Sequence, residues 1–392
     1  MNDVQQGVLV LIKSALTGKA GTLPEDFSID AAKSIIMRHQ IVGMAYEGAV
    51  LCGIDKKHPV MQMMFQKYFQ QIVRSEKQMD ALSKLFATFE ENEIDYLPVK
   101  GSNMKLLYPN PAMRTMGDAD VLIRMEQYEK IKPVMVQLGY EPGHEIDHEI
   151  VWDSPALHLE LHKRLIPSEN ADYYSYMGDG WKHSYQVSGH RYSLNNEIMY
   201  VFLLLHLAKH YRGGGIGLRQ AIDLWVYEQK VSMDQDRLVK ELKRADMLVF
   251  YQNLRKVLQC WFEDAQLDEK SEFISEYLFT SGSWGTAKNK LVGQGLRKSR
   301  RLGSSRKAKA QILAEAIFPP AKTMQNRYRI LVKCPWLLPA FWPVRWVGAT
   351  LFRRNNIRNY ANKIEMTDDA QIDSFEKSLT YVGLKMDVAE KK

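Results

Sequence analysis

In Asp118-Ala119-Asp120 two carboxylates are separated by one residue. On a strand, the side-chain period of two puts both on one face. Two acids so placed repel each other unless a cation lies between them, and hard oxygen ligands favour magnesium or manganese. A third acid, Glu160, lies in the run Leu159-Glu160-Leu161. If its strand runs beside that of Asp118 and Asp120, three carboxylates converge and could hold two metal ions. Otherwise Glu160 lies on the exposed face of a hairpin. His158 and His162 share the parity of Glu160 and therefore its side of the sheet, which makes His162 a support for the acids or a phosphate ligand.

Gly101-Ser102 follows a short apolar run and precedes a helical one, a position where backbone N–H groups and the helix dipole attract phosphate. Lys100 just before it and Arg114 shortly after it supply cations for a triphosphate. His206 and His210 stand four residues apart on an expected helix, a spacing also found in zinc sites. No cysteine lies near them, and with Arg219 and Asp223 they read better as a polar patch facing a cleft.

Several elements must position these groups. Residues 31–92 are helical in pattern, and Met61, Met64, Phe65, Tyr68, Phe69, Ile72 and Val73 form an expected packing face. Strands are expected at 95–100, 118–123, 146–152 and 156–165, with another at 191–194. Helices are expected after Gly101, over 125–138, and over 197–210, 218–229, 233–244 and 246–261. The fold class is α+β: a small mixed sheet with N-terminal helices and a C-terminal helical domain. The expected divisions are a helical region 1–92, a core 93–195, a helical domain 196–281 and a basic, Pro- and Trp-containing region 282–392.

Lys100-Gly101-Ser102, Leu107-Tyr108-Pro109, Pro111, Arg114, Asp118-x-Asp120 and Leu159-Glu160-Leu161-His162 together resemble the uncharacterised nucleotidyltransferase family of the DNA polymerase β-like superfamily. The resemblance is close over about 95–165 and looser through His206, His210, Arg219 and Asp223. It implies that Asp118, Asp120 and Glu160 coordinate divalent metal, magnesium or manganese, and that Glu160 helps to activate an incoming hydroxyl. Gly101 and Ser102 would hold the β and γ phosphates of an NTP, with Lys100, Arg114 and His162 nearby. The implied activity is transfer of a nucleoside monophosphate to an acceptor. A related toxin family, similar in its Lys-Gly and Asp-x-Asp motifs, modifies tRNA ends, and a catalytically degenerate nucleotide-binding or docking module is the other alternative.

Composition agrees with a folded protein: 392 residues, 45% apolar and 25% charged. The net charge of +7 is unevenly spread. Residues 288–363 carry 18 Lys and Arg against the single acid Glu315, so this stretch is +17 and the rest is −10. Cys52, Cys260 and Cys334 are odd in number and far apart, which suits a reducing compartment and the cytoplasm. The first seventeen residues lack a basic leader and read as a helix rather than a cleaved signal. The stretch 330–352 is apolar but broken by Lys333, Arg345, Pro335, Pro339 and Pro343, so no membrane span is expected. The basic segment admits a solvated surface, a polyanion or a peripheral contact with anionic lipid through Arg353, Arg354 and Arg358 beside Trp and Phe. Its aromatics are crowded among prolines rather than interleaved with cations, which favours a small-molecule or saccharide acceptor over RNA. The Gly- and Ser-rich stretch 282–309 reads as a linker or mobile loop.

Overall fold

The computed structural model describes residues 1–282, 292–293, 296, 298, 305–328, 330–352 and 369–385. Four helices open the chain: α1 (Asp3–Thr17), α2 (Ile29–Arg38), α3 (Val42–Leu51) and α4 (Pro59–Glu91). Asn2 caps α1 by accepting from Gln5 N–H, and Gly18 ends it in the left-handed region at φ 71°. A Cβ on Gly48 would lie 1.8 Å from the Leu11 carbonyl oxygen, so glycine there lets α1 and α3 touch backbone to backbone. On α4, Met61, Met64 and Tyr68 are buried, but Phe65, Phe69 and Val73 are 52%, 57% and 37% exposed. The expected packing face is therefore only half right. Apolar positions spaced three, one, three, one form two adjacent rows, and the neighbouring helices cover one of them.

Seven strands form one mixed sheet in the order β3-β4-β5-β2-β1-β7-β6. They are β1 (Tyr96–Val99), β2 (Ala119–Ile123), β3 (Glu141–Glu145), β4 (Glu149–Asp153), β5 (His158–His162), β6 (Ser184–Ser188) and β7 (Arg191–Leu194). The sheet is interleaved with α5 (Gly101–Lys105), α6 (Tyr128–Gln137) and α7 (Ala171–Met177). The sequence did not single out β3 or β6. Both are edge strands whose residues are almost all exposed, so neither has the apolar alternation that marks a half-buried strand.

The helices α8 (Asn196–Arg212), α9 (Leu218–Lys230), α10 (Gln235–Arg244), α11 (Leu248–Phe262) and α12 (Glu269–Ser281) follow. Each face of the sheet has its own core. Leu97, Val99 and Leu122 join a large cluster that runs from Val8 on α1 through Tyr200 and Phe202 on α8 to Phe279 on α12. Tyr96, Val121, Ile123, Leu159 and Leu161 point the other way, onto Leu82, Leu85 and Phe89 of α4 and Ile131 and Met135 of α6.

Beyond 282 the described elements are α13 (Ser305–Ile317), α14 (Ala321–Arg327), α15 (Ile330–Lys333), a 3-10 turn at Pro335–Leu337, α16 (Leu338–Phe352) and α17 (Asp369–Val382). The chain returns to the body at α17, where Phe375, Leu379 and Val382 enter the large core beside Val292 and Leu296. Most of the linker stretch expected at 282–309, together with Arg353, Arg354 and Arg358, lies outside the described residues.

Candidate active site

Strand pairing brings the acids together. β2 and β5 run parallel with Asp120 opposite Glu160 and Leu122 opposite His162, while antiparallel β1 places Val99 opposite Asp120. Lys100, the next residue, therefore emerges beside Asp120. It turns the chain from β1 into α5 at φ 48°, ψ −114°, a conformation that a residue with a Cβ rarely adopts and that persists where the surroundings enforce it. Its Nζ donates to Asp120 Oδ1 at 2.5 Å.

The same Asp120 oxygen accepts from His162 Nε2 at 2.8 Å, and Glu160 Oε2 lies 3.5 Å from that nitrogen. Asp120, Glu160 and His162 each offer a ligand atom, all within 4.8 Å of one another, and so form a group that could hold a metal ion. The bland alternative for Glu160, an exposed hairpin face, is excluded by its 17% side-chain exposure. Asp118 precedes β2 by one residue and lines the same cavity. Burial raises its carboxyl above the ordinary range, and the charges of Asp120 and Glu160 push it further. Burial would also raise Asp120, but Lys100 and His162 outweigh it and hold that carboxyl well below the usual range. His162 is raised in turn, because its bonds to Asp120 and Glu160 outweigh its burial.

These groups line one side of a cavity of about 320 Å³ whose other side is formed by α8 and α9. His206 and His210 face it with their rings 4.5 Å apart, and Arg219 and Asp223 border it too. All four expected cleft-facing residues thus share one wall. Burial, and then the Lys100 charge, drives the His206 imidazole well below its ordinary pKa.

Arg114, expected near the phosphates, lines the cavity but is already paired with an acid. Its Nε and Nη2 grip both oxygens of Asp223 at 2.7 and 2.8 Å, and Tyr108 donates to the same carboxylate at 2.7 Å. Arg219 Nη1 donates to the Thr115 carbonyl at 2.8 Å. Arg114 and Arg219 therefore clamp α9 to the segment that leads into β2. Ser102 also differs: its hydroxyl donates to the Val99 carbonyl at 3.3 Å, so its side chain closes the strand end rather than facing the cavity.

The profile of a family described as uncharacterised nucleotidyltransferase matches residues 25–263. This chain belongs to that family. Comparison with curated proteins and with solved structures returned no match. The match extends well before and after the motif region, taking in α2 to α4 and α8 to α11 as well as the sheet. The family's unit here therefore includes the helical wall of the cavity along with its acids.

The sequence missed part of that wall. His148, Glu149, Lys209 and Gln220 all line the cavity. Glu149 pairs with His162 in the β4–β5 register and lies 3.2 Å from His148. Burial would raise its carboxyl, yet the His148 bond and the charges of His148, His162 and Lys100 bring it down to about 2. Pairing Asp153 with His158 across residues 154–157 sets 149 opposite 162, whereas the shorter Asp153-Ser154-Pro155 turn expected from the sequence would have set it opposite 159. Lys209 is brought down to about 8 by burial and then by Lys100, and its signal was its place between His206 and His210 on one helix face.

Proposed function

We propose that this member of the family is a metal-dependent nucleotidyltransferase that moves a nucleoside monophosphate from an NTP to the hydroxyl of a small-molecule or saccharide acceptor. The convergence of Asp120, Glu160 and His162 within 4.8 Å carries the reading. The donor set fits a divalent ion, because Asp118 is raised by burial and then by the charges of Asp120 and Glu160, against which Lys100 and a backbone hydrogen bond do not prevail. Asp118, Asp120 and Glu160 would hold it, and their oxygens suit magnesium or manganese. A divalent ion bound there supplies Lewis-acid charge to the phosphates and alignment of the reacting oxygens.

The chain's own residues do the rest. His162 fixes the Asp120 carboxylate by its 2.8 Å bond. The Gly101 and Ser102 backbone cradles the β and γ phosphates. Lys100, whose ammonium sits on Asp120, would supply positive charge beside the triphosphate. The acceptor oxygen bonds to the α-phosphorus, the bond from that phosphorus to the bridging oxygen of the β-phosphate breaks, pyrophosphate leaves, and a Glu160 oxygen takes the hydroxyl proton. Lys209 and the His206–His210 pair contact the nucleotide or acceptor from the opposite wall.

Incubation with each labelled NTP and magnesium, with candidate acceptors or a small-molecule extract, should release pyrophosphate, and Asp120→Asn should lower the release by roughly a hundredfold or more. The ion pair of Lys100 with Asp120 favours one alternative, a non-catalytic nucleotide-binding module whose acids are already neutralised. NTP binding that is independent of magnesium, with no pyrophosphate under any condition, would establish it instead.

A further inference from the structure

The helical hairpin that runs from the end of α13 to α16 carries its tryptophans in two different ways. Trp342 Nε1 donates to the Pro319 carbonyl at 3.1 Å and Trp346 Nε1 to the Ile317 carbonyl at 2.8 Å, and the Phe318 ring packs edge-on between them at 5.2 Å from each. These contacts fold the hairpin on itself. Trp336, on the 3-10 turn before α16, is instead 76% exposed. Within α16, Ala340 and Pro343 are exposed and Val344 and Val347 are 53% and 57% exposed, at steps of three, one and three that place them on a single helical face, with Trp336 on the turn that leads into it. Val332, beside the turn, is 63% exposed. A helix whose outer face is apolar has its stable place against something other than water.

We infer that this face docks on an anionic membrane surface. Two observations select lipid. No Asp or Glu occurs between Ala316 and Ile364, while Arg327, at the end of α14, and Lys333, at the end of α15, are exposed in the chain leading to the turn. An apolar face flanked by cations, with tryptophan at its edge and no acid, matches the charge and polarity of an anionic headgroup layer. In addition, α16 has 15 residues, about 22 Å of helix against roughly 30 Å of hydrocarbon. It therefore lies in the interface and does not cross. Among the described residues no helix is long and apolar enough to span a bilayer. The docking does not depend on the reaction proposed above.

Co-sedimentation of the full chain with phosphatidylcholine vesicles, with and without phosphatidylglycerol, tests it. Binding should require phosphatidylglycerol and weaken with salt, and Val344→Glu and Lys333→Glu should each weaken it roughly tenfold while circular dichroism stays unchanged. Equal binding to both vesicles, or wild-type binding by both variants, overturns the inference. So does a dimer in sedimentation velocity that Val344→Glu dissociates, since a second copy would then cover the face. Retention of single-stranded RNA that Lys333→Glu abolishes, without vesicle binding, overturns it equally.

Discussion

The cavity beneath α8 and the hairpin ending in α16 treat charge and apolar surface in opposite ways. Around the cavity, buried charges meet opposite charges: Lys100 and His162 on Asp120, Arg114 on Asp223. On the hairpin, apolar side chains face outward and cations stand with no acid in the surrounding sequence. A buried charge without its partner is costly, whereas an exposed apolar side chain changes little until something covers it. The cavity should therefore respond strongly to single substitutions and the hairpin hardly at all, except in the presence of its partner.

The largest effect is expected at the clamp. Arg114→Ala leaves Asp223 and the Tyr108 hydroxyl buried without their cation and should cost about 3–5 kcal/mol in urea unfolding. Arg114→Met with Asp223→Leu should recover much of that loss. Asp120→Asn keeps the shape of the site but leaves the Lys100 ammonium and His162 without their anion, and should lower pyrophosphate release roughly 10²–10³-fold together with the melting temperature.

A pH effect of similar size comes from His39, which is outside the acid cluster. It is fully buried, its Nε2–H donates to the Phe279 carbonyl at 2.9 Å, and its Nδ1 accepts from Leu218 N–H at 3.1 Å. Burial lowers its pKa to about 4, so the unfolded chain takes up the proton first. This contribution is complete above about pH 6.5 and is lost as the pH falls toward 4, amounting to about 3 kcal/mol in all. His39→Gln should flatten that part of the stability-against-pH curve. Lys209→Met should raise the KM for NTP about tenfold with little change in kcat, as expected for loss of a charge on a phosphate. Trp336→Ser should leave stability within about 0.5 kcal/mol and pyrophosphate release unaltered, so that only vesicle binding reports it.

Local chemistry explains what was legible. That Asp120 and Glu160 share a sheet face could be read because strand parity is fixed by the backbone, whereas Asp118 falls just before β2. The α9–α11 boundaries came within two residues because their apolar period is strong. Three things depended on pairing and packing that residue type does not show. Arg114 reads as a free cation until Asp223, 109 residues on, is seen to hold it. Ser102 reads as part of a phosphate loop until its hydroxyl is found on Val99. Phe65, Phe69 and Val73 read as core until the packing leaves them outside. The helix α17 escaped notice because a basic segment separates it from the body it rejoins.

The sequence by itself determined which residues could carry the chemistry, that a mixed α+β unit would hold them, and that the positive charge would collect in one stretch. These properties reside in residue type and in the short backbone periods of strand and helix. The tertiary structure decided which charges are already paired, that the acids of β2 and β5 lie side by side under a helical lid, and which tryptophans are buried. Pairing and burial depend on the register of strands and helices far apart in the chain, and no local period encodes that register.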